Sequence, residues 1–366
     1  MTRCRGLAFL VALVLLAGCQ GARSSRRSVT DARTGPRPST RSEAARRVRV
    51  DSQHRLAARQ RARFLLDAAL FAREDRAGIG PCFGAPALTT PPALCDAATK
   101  SSVRPPLSRA ALDKSDAYPS VSGQPTCFSY PPEFPEVTCH RGARGGRFRV
   151  ALVGNSHAGQ WLPALEFVAR HRDWQITTYL ASNCAMSQTP QNFRPLAVST
   201  ACSQWVADTT ARIASGGFDL VLLSDKLSIT ATGHDLAASQ APYEWGYVTI
   251  LRAWQRAHLT VVALRDTPSP WPEDVPRCLV SHPRRACAGR RATWLRPDPV
   301  LAAVRDVHDP HIAGADLTSY FCPTTACPAV IGGVVVYFDE SHLTATYDRT
   351  LASPLEAVLG RAVHRG

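Results

Sequence analysis

Between residues 148 and 264 the chain alternates short apolar runs with longer stretches of helical apolar spacing, and this alternation constrains the fold more than any other feature. Residues 148–153, 175–180, 219–223 and 259–264 read as strands. Residues 157–171, with Trp161, Leu165 and Val168 at helical spacing, read as a helix, as do 203–215 and 244–257. A late strand is expected at 334–337 and a closing helix at 342–361. Strands that alternate with helices predict an α/β domain with a parallel sheet and helices on both faces. No internal repeat interrupts the pattern.

The ends of the chain differ from this domain. Arg3 and Arg5 precede the apolar run 7–17, and Leu16-Ala17-Gly18-Cys19 follows, the layout of a secretory signal. The four-residue stretch resembles a bacterial lipobox, which implies cleavage before Cys19 and a lipid on its thiol; a conventional signal is the alternative. The run is too short to span a bilayer, which needs about 20 apolar residues. The expected address is therefore the outer face of the cytoplasmic membrane, held there by a lipid anchor. Of the net charge of +14, residues 1–80 carry 17 Arg against six acids. A basic tail on an ordinary domain, and not a nucleic-acid surface, accounts for that asymmetry.

The expected organisation is a signal at 1–18, a basic linker at 19–42, a helical segment at 43–76, a Pro- and Cys-rich irregular lead-in at 77–146 and the α/β domain at 147–364. Setting aside Cys4 and Cys19 leaves ten cysteines, an even number suited to an oxidising compartment. Their clustering suggests Cys82–Cys95, Cys127–Cys139, Cys184–Cys202, Cys278–Cys287 and Cys322–Cys327. No Cys-x-x-Cys pair occurs and the histidines lack zinc-finger spacing, so no metal is expected. The chemistry below calls for no cofactor.

Two short segments carry that chemistry. In Gly154-Asn155-Ser156-His157-Ala158 a serine stands between the first strand and a helix, where its hydroxyl projects from the carboxyl edge of the sheet and its backbone N–H can hold an oxyanion. A serine there also serves as a plain helix N-cap. In Asp339-Glu340-Ser341-His342 the three-residue spacing lets the carboxylate meet the imidazole across one turn, as a base with its orienting partner requires. An N-capping Asp beside a surface histidine gives the same letters. His157 is read as structural, Trp161 as core and Trp271 as a candidate sugar contact.

The first segment, with Trp161-Leu162-Pro163-Ala164-Leu165 after it, resembles the first block of SGNH hydrolases, and especially the SGNH domain of acyltransferase-3 proteins that O-acetylate cell-envelope polysaccharides. The resemblance continues through Asp266-Thr267-Pro268, Pro276-Arg277-Cys278-Leu279 and Phe338-Asp339-Glu340-Ser341-His342-Leu343-Thr344, over roughly residues 125 to 360. It implies a flavodoxin-like three-layer α/β/α sandwich, Ser156 as nucleophile, His342 as base and Asp339 as its partner. The implied activity is O-acyl transfer to, or ester hydrolysis on, an envelope glycan through an acyl-serine. Asn155 stands where the family has Asp, and the family's oxyanion glycine and asparagine have no clear match, which leaves the Ser156 N–H as the expected donor. The family's many-helix membrane domain does not precede this module, so a separate membrane acyltransferase is the expected acyl source. Two other readings stay open: a lipase-like esterase, and a catalytically silent envelope lipoprotein that binds glycan or partners an acyltransferase.

Overall fold

The computed structural model describes residues 80–95, 103–118 and 126–364. All of them belong to one compact unit, Arg61–Gly366; the other unit, Met1–Gln60, lies outside the described residues. The expected signal, Cys19 anchor, linker and helical segment therefore fall outside them too. Among the described residues no helix is long and apolar enough to cross a membrane.

The core is a seven-stranded sheet. Its strands are β1 (Phe128–Ser129), β2 (His140–Gly142), β3 (Phe148–Gly154), β4 (Trp174–Ala181), β5 (Leu220–Ser224), β6 (Val261–Leu264) and β7 (Ile312–Ala315). The order is β1-β4-β3-β5-β6-β7, parallel throughout, with β2 antiparallel on the outer side of β4. The five strands β4-β3-β5-β6-β7 thus follow the flavodoxin-like order 2-1-3-4-5. β1 and β2 come from the segment expected as irregular lead-in. Both are very short, and each covers one half of the edge of β4.

The apolar runs of β3, β5 and β6 lack polar alternation because both faces are covered. Val150, Leu152, Leu220, Leu222, Val262 and Leu264 join one core, with α2 (Leu162–Arg172) and α6 (Ala352–Val363) packed on it. Ala151, Val153, Val221, Leu223, Val261 and Ala263 join the other, under α3 (Leu196–Ser215), α4 (Gln240–Arg256) and α5 (Pro299–Val307). These two cores define three layers, α/β/α. Trp161 is in the first core at 1% exposure, whereas Trp271 is 57% exposed.

Two expected helices divide. The stretch 157–171 becomes a four-residue α1 (Ser156–Gly159) and then α2, whose first turn holds Pro163, a residue suited to a helix start. The closing stretch becomes Ala345–Arg349 and α6, so His342 precedes the helix instead of opening it. The expected late strand shortens to Val334–Val335, paired antiparallel with Val330–Ile331. Disulfides join Cys82–Cys95, Cys127–Cys139, Cys184–Cys202, Cys278–Cys287 and Cys322–Cys327. Each closes a short loop.

Candidate active site

In this strand order β3 is flanked by β4 and β5, and the chain leaves β3 and β4 toward opposite faces of the sheet. The loops beyond β3 and β5 therefore part at their carboxyl ends and open a crevice. Ser156 lies there. Gly154 allows the approach: a Cβ at that residue, with φ of 139°, would sit 2.0 Å from the Ser224 carbonyl oxygen.

Asn155 holds the two loops together. Its backbone N–H donates to Asp225 Oδ1 at 2.6 Å, its Nδ2 donates to the Lys226 carbonyl at 2.7 Å, and its Oδ1 accepts from Lys226 N–H at 3.2 Å. An aspartate could accept but not donate here, so the amide suits the backbone it meets. The same Oδ1 accepts from His157 N–H at 3.0 Å, which makes Asn155 the N-cap of α1. Ser156 is thereby released from capping. No acceptor for its backbone N–H is found among the described residues.

The Ser156 hydroxyl meets His342 instead. Ser156 Oγ is 2.8 Å from His342 Nε2, and His342 Nδ1 is 2.8 Å from Asp339 Oδ2. Asp339 and His342 do not share a helical turn. They sit in a bend closed by the Tyr337–Leu343 bridge and the Phe338 N–H to His342 carbonyl bond. Within it Asp339 Oδ1 accepts the backbone N–H groups of Ser341 and His342 at 2.8 and 2.7 Å. Desolvation would raise the Asp339 carboxyl, but the hydrogen bonds and charge of His342 outweigh it and hold it below the usual carboxylate range. A hydroxyl, an imidazole and an ionised carboxylate in this sequence can pass a proton from oxygen to nitrogen and stabilise the resulting imidazolium.

Aromatic rings fix the imidazole. Phe338 stacks on His342 at 5.3 Å between centroids, and Tyr118 meets it edge-on at 5.7 Å. The Tyr118 hydroxyl also donates to the Ser156 carbonyl at 2.5 Å. Tyr118 belongs to the Pro- and Cys-rich lead-in, where nothing in the spacing marked it.

A second histidine pair lies behind the first. His157 is fully buried; its Nδ1 is 2.6 Å from Asp266 Oδ1 and its ring centroid is 4.7 Å from that of His342. Its Nε2 is buried, with no hydrogen-bond partner among the described residues. Desolvation, reinforced by the charges of His342 and Lys226, lowers the His157 pKa, so the imidazole is neutral. Desolvation likewise pushes Asp266 up to about 7, against the pull of Lys226, although 24% of its side chain stays exposed. Gln160 ties this pair to the first: its Nε2 donates to Thr267 Oγ1 at 3.2 Å and its Oε1 accepts from Leu343 N–H at 2.9 Å. Asp266 stood in a quoted motif, but the letters gave it no role.

Asp225 is a further residue that the sequence left unassigned. It is buried, accepts from Asn155 N–H, Met186 N–H and the Tyr247 hydroxyl, and is pushed by burial up to about 8 against those bonds. Among the described residues no group of His, Cys, Asp and Glu is arranged to hold a metal ion.

A family model described as an SGNH domain (fused to AT3 domains) matches residues 126–357. Among solved structures, the periplasmic domain of a lipopolysaccharide acetyltransferase from Salmonella ser. Paratyphi A is similar, with 12% identity over 59% of this chain and 85% of that one and a TM-score of 0.47. No curated protein matches.

Proposed function

The chain belongs to the SGNH domain family, and from that membership we propose that it moves a short acyl group, through an acyl-serine, to or from a cell-envelope glycan. The observation that carries this reading is the continuous contact from Asp339 through both ring nitrogens of His342 to Ser156 Oγ, each link 2.8 Å. His342 Nε2 takes the Ser156 proton as Oγ attacks an ester carbonyl, and Asp339 supports the imidazolium. The Ser156 N–H, at the start of α1, supplies one oxyanion donor, an interaction worth roughly 10²- to 10³-fold in rate. His342 then gives its proton to the leaving oxygen, and water or a sugar hydroxyl takes the acyl group by the reverse sequence.

Five disulfides in the described residues support an oxidising, extracytoplasmic address. A lipid on Cys19 would hold the enzyme at the membrane, beside a separate acyltransferase that supplies acyl groups. A fluorophosphonate probe tests the serine. The purified protein should label, and Ser156→Ala should abolish labelling without a change in thermal unfolding. Folded protein that fails to label would favour the catalytically silent, glycan-binding lipoprotein. To separate transfer from hydrolysis, envelope acetyl content is compared with and without the gene: loss on deletion supports transfer, and gain supports an esterase.

A further inference from the structure

Ser156 opens a helix of only four residues, and a single turn holds its geometry poorly, because it fixes several dihedrals for very few hydrogen bonds. Bonds from outside must therefore set the backbone of the nucleophile. On the amino side of Ser156 the Asn155 carbonyl accepts from Ala158 N–H at 2.9 Å. On its carboxyl side the helix supplies one bond, from Gln160 N–H to the Ser156 carbonyl at 3.2 Å. The Tyr118 hydroxyl donates a second and shorter one to the same oxygen, at 2.5 Å. Two donors on one carbonyl fix the plane of that peptide, which leaves the side-chain torsion of Ser156 to aim Oγ.

The same side chain touches the base. The Tyr118 ring meets His342 and Phe338 edge-on, at 74° and 80°, while Phe338 lies flat on the imidazole at 8°. Phe128 backs the phenol at 5.2 Å between centroids. Residues 113–118 carry Tyr118 as a brace tied down at both ends. At one end the Asp113 carbonyl accepts from Ala345 N–H at 2.8 Å and its carboxylate from Thr346 N–H at 3.1 Å, just beyond His342. At the other the Ala117 carbonyl accepts from Cys127 N–H at 3.0 Å, and Cys127 is locked to Cys139. Burial, with the charges of Asp339 and Asp348, pushes the phenol well above its ordinary pKa, so the hydroxyl stays a donor.

We propose that Tyr118 is a positioning residue of this site: its hydroxyl sets the Ser156 backbone, its ring edge sets the His342 imidazole, and one side chain thereby registers nucleophile against base. The assignment rests on the acyl-serine reading above. It adds a component from outside the segment that matches the family, which begins at residue 126.

The test separates the two contacts in the full chain. Tyr118→Phe deletes the hydroxyl and keeps the ring. The Ser156 carbonyl retains its Gln160 partner, so no buried acceptor is left unpaired and urea unfolding should match the wild type. With p-nitrophenyl acetate, kcat should fall about three- to tenfold at unchanged KM, the size of one hydrogen bond, and fluorophosphonate labelling should slow by the same factor. Tyr118→Leu, which also removes the ring edge, should slow both by roughly 100-fold, so that Phe restores most of the loss. Tyr118→Phe at wild-type rates overturns the assignment. So does a loss confined to KM, which marks a substrate contact, or one that follows a drop in unfolding free energy, which marks packing alone. Hydrolysis that survives Ser156→Ala overturns the acyl-serine reading and this assignment with it, so the two failures are told apart.

Discussion

His342–Asp339 and His157–Asp266 stand side by side beyond β3, and burial separates what each pair can do. His342 and Asp339 keep 19% and 25% of their side-chain surface exposed, and their chain of contacts ends on a hydroxyl. His157 keeps none, and its outer nitrogen meets no partner among the described residues. His157 adjoins Ser156 in sequence while His342 lies 186 residues away, yet the distant ring reaches the hydroxyl. Being next to the nucleophile in the chain turns a side chain away from it, because successive positions on a helix point in different directions.

The sharpest way to break this comparison is to remove each ring in turn. His342→Gln should lower kcat/KM for p-nitrophenyl acetate by roughly 10⁴-fold or more, with little loss of stability. His157→Gln should cost under about 100-fold in rate but about 1–3 kcal/mol in unfolding free energy, since Asp266 loses its short bond. Steady-state rates and urea unfolding measure both. The opposite pattern would make His157 the base.

A smaller effect separates the carboxylates. Asp339 is ionised across the neutral range, whereas Asp266, surrounded by His157, Lys226, Arg265, Asp298 and His342, gains its charge near pH 7. Above that pH a second negative charge supports the His342 imidazolium. The kcat/KM profile should therefore rise through an inflection near 7, by about three- to tenfold, and Asp266→Asn should flatten it. An inflection that survives the substitution assigns it elsewhere.

The remaining effect is on stability. Asp225 and Asp266 are held at about 8 and about 7, far above the value of about 4 for an unfolded chain. The folded state binds more protons between those values, so stability falls as pH rises from about 4 toward 8. Thermal unfolding should come at a lower temperature at pH 8 than at pH 5. Asp225→Asn should reduce the slope.

These pairs also mark where the sequence could be read and where it could not. β3, β4, β5 and β6 were legible because each is an apolar run bounded by helical spacing. β7 was not, since Ile312–Ala315 contains a glycine and only two buried residues. The Asp339–His342 spacing was a usable signal, but it works through a bend pinned by backbone N–H groups, not a helical turn. Tyr118 and Asp266 meet the site across 38 and 109 residues of chain, and only the folded topology brings such separations together.

Tyr118 also lies outside the segment that the family shares, which begins at residue 126. A fragment cut at that boundary would retain Ser156, Asp339 and His342, and would lose both the edge of the ring against the imidazole and the hydroxyl on the Ser156 carbonyl. The matched segment is therefore smaller than the set of residues that meets at Ser156, and a fragment meant to keep that set begins upstream of Tyr118.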